Sequence, residues 1–317
     1  MPLKIIFMGT PALAARILDR LAAAADPRFA VVAVVTRPDE PRGRGLALLP
    51  SEVGAVAARH NLPVLKPVRI RTPDFLAEIK SYDPDLLVVA AYGRILPQPI
   101  LDAARIAPIN VHASLLPRFR GAAPIEAAIL SGDAETGVTI MRVTAAMDAG
   151  PMILRRAIPI APDDTQASLK EKLAGLGADA LLAALDLYAR GAAVETPQDE
   201  SLATYTKPIR KEDAAIDWSA AAAHIERMTR AFDPWPVART TLGGAPMLIW
   251  RARVVEPGNI ETTPAPGTLV AVKREATVKC GRGKLVLVEV QAPGRKRMRA
   301  ADFFNGRKVA PGTRLGT

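Results

Sequence analysis

The sequence has very little cysteine and histidine. Cys280 is the only cysteine among 317 residues, so no disulfide can form within the chain, which favours a reducing compartment. His60, His112 and His224 are far apart in the sequence, and a structural zinc site is therefore not expected. No apolar run approaches the roughly 20 residues that cross a bilayer. We expect a cytoplasmic protein with no metal and no membrane segment.

The sequence also lacks the glycine patterns of nucleotide-binding loops. A single Gly9 follows the first apolar run, Leu3–Met8, where a dinucleotide fold would carry G-x-G-x-x-G, and no P-loop occurs. The first 190 residues nevertheless alternate continuous apolar runs with segments of helical periodicity. This alternation predicts an α/β fold with a Rossmann-like, mostly parallel sheet covered by helices on both faces. The predicted strands cover residues 3–8, 30–36, 85–91, 106–111 and 138–143.

The last third of the sequence has a different pattern. Residues 190–206 are polar and predict a linker after a first domain at 1–189. A helix is predicted at 220–232, and short Val- and Leu-rich runs follow at about ten-residue spacing, which is typical of a small β-barrel. These runs cover residues 247–255, 267–272, 276–280 and 284–290. A second, smaller domain is therefore expected at 207–317.

The two halves differ in charge. Residues 207–317 contain 20 Lys and Arg against 10 Asp and Glu, so the whole net charge of +10 lies in this part of the chain. The first 206 residues are neutral overall. A basic module attached to a neutral one is typical of proteins that bind a polyanion, although a solvated basic surface would give the same count.

Three polar residues are predicted to meet at one edge of the sheet. Asn110 and His112 are two residues apart in a predicted strand, so their side chains project to the same side and can donate to one developing oxyanion. Asp148 follows the strand predicted at 138–143, and we expect it at the same edge, where a carboxylate can hold the imidazole and take a proton. Taken singly, each residue is more often structural. No serine or cysteine nucleophile has a matching base nearby in sequence, so direct acyl transfer to an amine is favoured.

At these residues the chain resembles the folate-dependent formyltransferases, which share the pattern Asn-x-His…Asp. The likeness to the methionyl-tRNA formyltransferase branch is more specific and runs over nearly the whole chain. Further segments that carry it are 7–11, 91–97, 114–125, 132–141, 216–218, 230–236 and 265–268. The resemblance implies a Rossmann-like catalytic domain and a second domain that is an OB-like barrel.

The resemblance also implies the substrates and the roles of residues. N10-formyltetrahydrofolate would be the donor, and methionyl initiator tRNA would be the acceptor. Asn110 and His112 would polarise the formyl oxygen, and Asp148 would orient His112 and help to accept the amine proton. The residues expected along the reduced folate are Tyr92, Gly93, Ser114, Leu115, Leu116 and Pro117.

A loop after the second strand touches the acceptor stem in the family. Its Pro-x-Gly-Arg-Gly element corresponds to residues 41–45, which makes Arg44 the leading tRNA contact with Arg42 beside it. Leu46 and Ala47 stand where lysines usually follow, so fewer phosphate contacts are expected from this loop, with Arg42 as a candidate substitute. The basic residues expected to contact tRNA phosphates in the last third are Lys207, Arg210, Lys211, Arg295, Lys296, Arg297 and Arg299.

Three other functions share some of these features. A formyltransferase of a small amine has the same Asn-x-His…Asp core but does not need a basic barrel. A formyltetrahydrofolate hydrolase would use water in place of the amine. A non-catalytic RNA-binding protein would share the charge distribution but release no tetrahydrofolate.

Overall fold

The computed structural model describes residues 2–42, 47–256 and 264–316. The chain forms two compact units. The first contains Met1–Pro124, Glu135–Pro159 and Lys170–Thr206. The second contains Ile125–Ala134, Ile160–Leu169 and Lys207–Thr317.

The elements follow one another along the chain as the sequence patterns predict, with several short additions. The strands are β1 (Leu3–Gly9), β2 (Phe29–Val35), β3 (Glu40–Arg42), β4 (Ala47–Leu49), β5 (Val64–Leu65), β6 (Leu86–Ala90), β7 (Ala107–His112), β8 (Arg120–Gly121), β9 (Glu135–Arg142), β10 (Met152–Pro159), β11 (Tyr205–Thr206), β12 (Arg239–Leu242), β13 (Ala245–Glu256), β14 (Leu269–Ala271), β15 (Ala276–Lys279), β16 (Lys284–Gln291) and β17 (Met298–Arg299). The helices are α1 (Ala12–Ala23), α2 (Glu52–Arg59), α3 (Pro73–Ser81), α4 (Gln98–Leu101), α5 (Pro124–Ser131), α6 (Gln166–Ala189), α7 (Ala222–Ala231) and α8 (Ala300–Gly306).

The first unit contains a seven-stranded sheet in the order β10-β9-β7-β6-β1-β2-β5. The five strands from β7 to β5 pair in parallel. Their apolar runs are buried because both faces are covered, and the β1 residues Ile5, Ile6, Phe7 and Met8 have no exposed surface. The predicted α/β class with a mostly parallel sheet is confirmed.

The strand predicted at residues 138–143, β9, was expected to be parallel to its neighbour but is antiparallel to it. β9 pairs antiparallel with β7, and β10 pairs antiparallel with β9. Arg142 at the end of β9 is therefore opposite Ile109, near the beginning of β7. Asp148 therefore does not follow a parallel strand to the carboxyl edge of the sheet, and this expectation was wrong. A loop, residues 143–151, has to return towards the end of β7 instead.

Local signals account for several helix starts. The Ser51 side chain accepts a hydrogen bond from the backbone N–H of Gly54 at 2.9 Å, which satisfies one of the free donors at the start of α2. The Thr72 hydroxyl does the same for Phe75 at the start of α3, where Pro73 occupies the first helical position.

The second unit is built on an antiparallel sheet in the order β12-β13-β16-β15-β14, with β17 added beside β16. Its core contains Trp218, Phe303 and Phe304. The last described residues join the two edges of the sheet: Leu315 pairs with Leu242 of β12, and Arg314 pairs with Thr268 next to β14. The strands therefore curl into a small barrel, as the spacing of apolar runs predicted.

The segment predicted as a linker is part of the first unit. Thr196 pairs with Met152 of β10, and β11 pairs in parallel with β8. Gln198 is 9% exposed. Polar composition suggested a solvated connection, but several polar side chains of residues 195–206, among them Glu195, Gln198 and Glu200, bond to other parts of the first unit.

Helices in the described ranges are either too short or too polar to span a bilayer.

Candidate active site

Asn110 and His112 lie at the carboxyl end of β7 and face the same side, as their spacing in a strand requires. The two strands that flank β7 fix their positions, since Asn110 is opposite Val89 of β6 and His112 is opposite Thr139 of β9. The His112 side chain is 7% exposed, whereas Asn110 is half-buried. Asn110 is thus the more accessible of the two donors.

The loop between β9 and β10 brings Asp148 to both residues. Asp148 Oδ1 is 3.5 Å from Asn110 Nδ2, and Asp148 Oδ2 is 3.6 Å from His112 Nδ1. Oδ2 also accepts a hydrogen bond from the backbone N–H of Gly121 at 2.8 Å. The carboxylate side chain is 19% exposed. The amide, imidazole and carboxylate thus converge at a place that solvent reaches, although the two longer contacts have to shorten to become strong hydrogen bonds.

Both nitrogens of the His112 ring face acceptors. Nε2 is 2.9 Å from the carbonyl oxygen of Phe119, and Nδ1 faces Asp148. A carbonyl and a carboxylate both require an N–H, so the ring is satisfied on both sides only when it carries two protons. We expected an imidazole N–H of His112 to face the reacting oxygen, and in the structure Nε2 faces the Phe119 carbonyl oxygen. The role of His112 in the reaction stays a prediction.

The segment after His112 is held by Thr139, which sequence analysis did not single out. The buried Thr139 hydroxyl donates to the carbonyl oxygen of Ser114 at 2.7 Å and accepts from the backbone N–H of Leu116 at 3.1 Å. Ser114 Oγ donates to the carbonyl oxygen of Arg118 at 2.7 Å. These bonds give the segment 114–118 one defined path after His112.

The predicted folate residues differ in accessibility. Ser114, Leu116 and Pro117 are buried, whereas Leu115 is half-buried. Among these four, Leu115 is the side chain that a ligand can reach without rearrangement. The other three set the course of the loop.

Tyr92 and Gly93 follow β6. Tyr92 is 2% exposed, burial raises the pKa of its phenol, and its hydroxyl finds no hydrogen-bond partner in the described ranges. Gly93 is exposed with φ of 74°, and its carbonyl oxygen accepts from Arg37 Nη2 at 2.9 Å. Gly93 can therefore meet a ligand, whereas the ring of Tyr92 belongs to the core.

A fully buried arginine, Arg120, directly precedes Gly121, whose N–H binds Asp148. Arg120 has no exposed surface, and its guanidinium donates to Gln198 Oε1, to both carboxylate oxygens of Glu200 and to the Tyr205 hydroxyl at 2.7–3.0 Å. The hydrogen bond to Glu200 raises the pKa of Arg120, against the effect of burial, and lowers the pKa of Glu200. Neither Arg120 nor Gln198 was predicted as a site residue, because their partners are about 80 residues apart in sequence.

The predicted tRNA residues are separate from this site in the sequence. Arg44 lies outside the described residues, and Arg42 is at the end of β3. The side chain of Arg297 stacks on Trp250, with its guanidinium carbon 3.1 Å from the ring centre. All of the predicted tRNA contacts in the second unit are exposed, namely Lys207, Arg210, Lys211, Arg295, Lys296, Arg297 and Arg299.

Comparison with known proteins identifies the family. The family model described as "Formyl transferase" matches residues 3–185, and "Formyl transferase, C-terminal domain" matches residues 208–308. The methionyl-tRNA formyltransferase of Methylococcus capsulatus is 47% identical over 315 residues, covering 99% of this chain and all of the relative. The chain belongs to the methionyl-tRNA formyltransferase family. The member from a Roseiflexus species is 46% identical, covering the whole chain and 96% of the relative.

Solved structures of more distant proteins share the fold. WlaRD, a sugar 3N-formyltransferase solved in the presence of dTDP and 5-N-formyl-THF, has a TM-score of 0.66 at 16% identity, covering 93% of this chain and all of that one. HypX from Aquifex aeolicus in complex with tetrahydrofolic acid has a TM-score of 0.61 at 18% identity, covering 98% of this chain and 48% of that one. The methionyl-tRNA formyltransferase family thus uses an architecture that other formyltransferases share.

Proposed function

We propose that this chain transfers a formyl group from N10-formyltetrahydrofolate to the α-amine of methionyl initiator tRNA in the cytoplasm. The observation that carries the proposal is the convergence of Asn110, His112 and Asp148 within 3.6 Å at the end of β7. Family membership supports the choice of substrates.

Attack of the amine nitrogen on the formyl carbon forms a C–N bond and places negative charge on the formyl oxygen. Asn110 has two N–H groups, one of which faces Asp148, so the second is available to the oxyanion. His112 adds a donor when its Nε2–H exchanges the Phe119 carbonyl for the formyl oxygen. The intermediate then breaks the bond to N10 of the folate, which leaves with a proton.

The attacking amine has to lose a proton as its bond to carbon forms. Asp148 is the carboxylate that is both partly exposed and in contact with His112, which makes it the proposed acceptor, directly or through water. The bond from the Gly121 N–H keeps one carboxylate oxygen in place, so the other faces Asn110 and the reaction. Leu115 and Gly93 are the accessible members of the proposed folate contacts.

We assign the catalytic role to residues 1–189 and tRNA binding to residues 207–317, where all of the net positive charge lies. Exposed lysines and arginines in this region would position the acceptor through its phosphates and would not read its bases. Arg42 and Arg44 are proposed as additional acceptor-stem contacts.

The deciding experiment measures transfer of labelled formyl from the folate donor to methionyl initiator tRNA, with elongator methionyl-tRNA as control. Formyl-methionyl product on the initiator tRNA is the expected result. Consumption of donor without acceptor would identify a hydrolase. Transfer to a free aminosugar in preference to aminoacyl-tRNA would identify a small-amine enzyme, and RNA binding without tetrahydrofolate release would exclude catalysis.

A further inference from the structure

Three consecutive residues hold the catalytic imidazole and carboxylate. The Phe119 carbonyl accepts from His112 Nε2, and the Gly121 N–H donates to Asp148 Oδ2. Between them, the buried Arg120 reaches Asp148 through Gln198. β8 is in turn fixed by β11, with which it pairs, and by the residue before β11, since the Arg120 N–H donates to the carbonyl oxygen of Thr204 at 2.8 Å.

Gln198 is bonded on both ends of its amide. Its Oε1 accepts from Arg120 Nε at 3.0 Å and from Nη2 at 2.8 Å. Its Nε2 donates to the carbonyl oxygens of Asp148 at 2.8 Å and Gly150 at 2.7 Å. Because a guanidinium only donates and a carbonyl only accepts, Arg120 permits a single orientation of this amide. The Gln198 amide thus accepts from the buried Arg120 on one side and donates to two carbonyl oxygens of the loop that carries Asp148 on the other.

The backbone at Asp148 needs such support. Its φ is 48°, in the left-handed region that costs energy for any residue with a Cβ. Gln198 binds the carbonyl of Asp148 itself, whereas Gly121 binds the side chain. Together these two bonds hold the backbone carbonyl and the side-chain carboxylate of Asp148. A backbone rotation at Asp148 would move the carboxylate away from Asn110 and His112.

We propose that Gln198, oriented by Arg120, is a positioning residue that sets the reactive placement of Asp148. The inference rests on the proposed role of Asp148 in formyl transfer. Gln198 acts on the carboxylate through the backbone and has no contact with the reacting atoms assigned above. The geometry points to an effect on the chemical step and not on the affinity for the donor.

The test is Gln198→Glu. A glutamate has nearly the same shape and keeps a strong acceptor for Arg120, so the fold is retained. It replaces the two N–H groups that face the Asp148 and Gly150 carbonyls with an oxygen, which repels them. We expect kcat for formyl transfer to fall roughly 10- to 100-fold, in the range that misplacing a catalytic group causes, while the donor Kd stays within twofold.

Glu195→Gln is the matched control. It lies three residues away and weakens the half-buried ion pair with Arg142, without a contact to Asp148. We expect its kcat within twofold of the parent. If Gln198→Glu does not fold, Gln198→Met removes the same bonds without a charge and is measured instead. A folded Gln198 variant with kcat within threefold of the parent, or with a weakened donor Kd and unchanged kcat, would overturn the inference.

A double-mutant cycle separates positioning from general structural damage. If Gln198 acts through Asp148, adding Gln198→Glu to Asp148→Asn should lower kcat by less than threefold further. If the two substitutions instead lower kcat by independent factors that multiply, Gln198 does not act through Asp148. Failure of the proposed function is distinguishable, because the parent chain itself would then form no formyl-methionyl-tRNA. The same variants would in that case be compared on whichever donor reaction the parent catalyses.

Discussion

Asp148→Asn is the substitution that tests the proposed chemistry most directly. An asparagine fills the same space and can still accept the hydrogen bond from the Gly121 N–H, which is 2.8 Å from Oδ2. Its NH2 group then takes the position of Oδ1, which is 3.5 Å from Asn110 Nδ2. Two donors would face each other there, and His112 would lose its negative partner.

The effect on stability should be small compared with the effect on rate. Loss of the favourable contact with Asn110 costs about 1 kcal/mol of folding free energy, or a shift of a few degrees in Tm. A positioned general base contributes about 10²- to 10⁴-fold to a rate, which corresponds to roughly 2.7–5.4 kcal/mol of barrier. We therefore expect a folded protein whose turnover falls by at least two orders of magnitude.

The assay is a single-turnover reaction with enzyme in excess over methionyl initiator tRNA and with saturating labelled donor. Asp179→Asn is the control, since it removes a carboxylate that pairs with Arg20 on the exposed surface. Transfer by Asp148→Asn within tenfold of the parent rate would refute the assignment of Asp148 as proton acceptor. A large loss in the control would show that the measurement reports general damage.

Three further outcomes are expected. Asn110→Ala should raise the barrier to transfer by roughly 2.7–4 kcal/mol, measured as kcat, and an unchanged kcat would remove Asn110 from the oxyanion site. Lys296→Ala should reduce the salt dependence of tRNA binding by close to one unit of log–log slope, whereas Lys80→Ala, within the neutral first 206 residues, should leave it unchanged. Burial opposes ionisation of Asp85, but a backbone N–H and the Arg105 guanidinium outweigh it and lower its pKa. The ionised Asp85 therefore contributes its full stabilisation above the unfolded pKa of about 3.9, and this is lost as the pH falls through the lower folded pKa. When the free energy of unfolding is measured against pH, Asp85→Asn should show a smaller decrease at acid pH than the parent protein.

The sequence predicted the parallel sheet because apolar runs that alternate with helices have few other arrangements. The expected parallel direction of β9 was wrong, since an apolar run carries no information on whether its neighbour is parallel. The meeting of Asn110, His112 and Asp148 was nevertheless predicted. Strand periodicity accounts for the first two residues, but the long return loop, and not the strand direction, brings in the third.

The supporting residues were less predictable. Gln198 lies in a polar stretch that looked like a linker, and Arg120 is one of many arginines in a basic protein. Their burial becomes evident only when β8 and β11, more than 80 residues apart, are paired. Polar groups that are satisfied by distant partners have no local periodicity, so composition and spacing could not reveal them.

Residues 314 and 315 join the two edges of the sheet in the second unit. Leu315 and Arg314 cover backbone groups beside β12 and β14 that would otherwise form open sheet edges. Removing residues 313–316 would leave both strands free to pair with other molecules, which promotes aggregation.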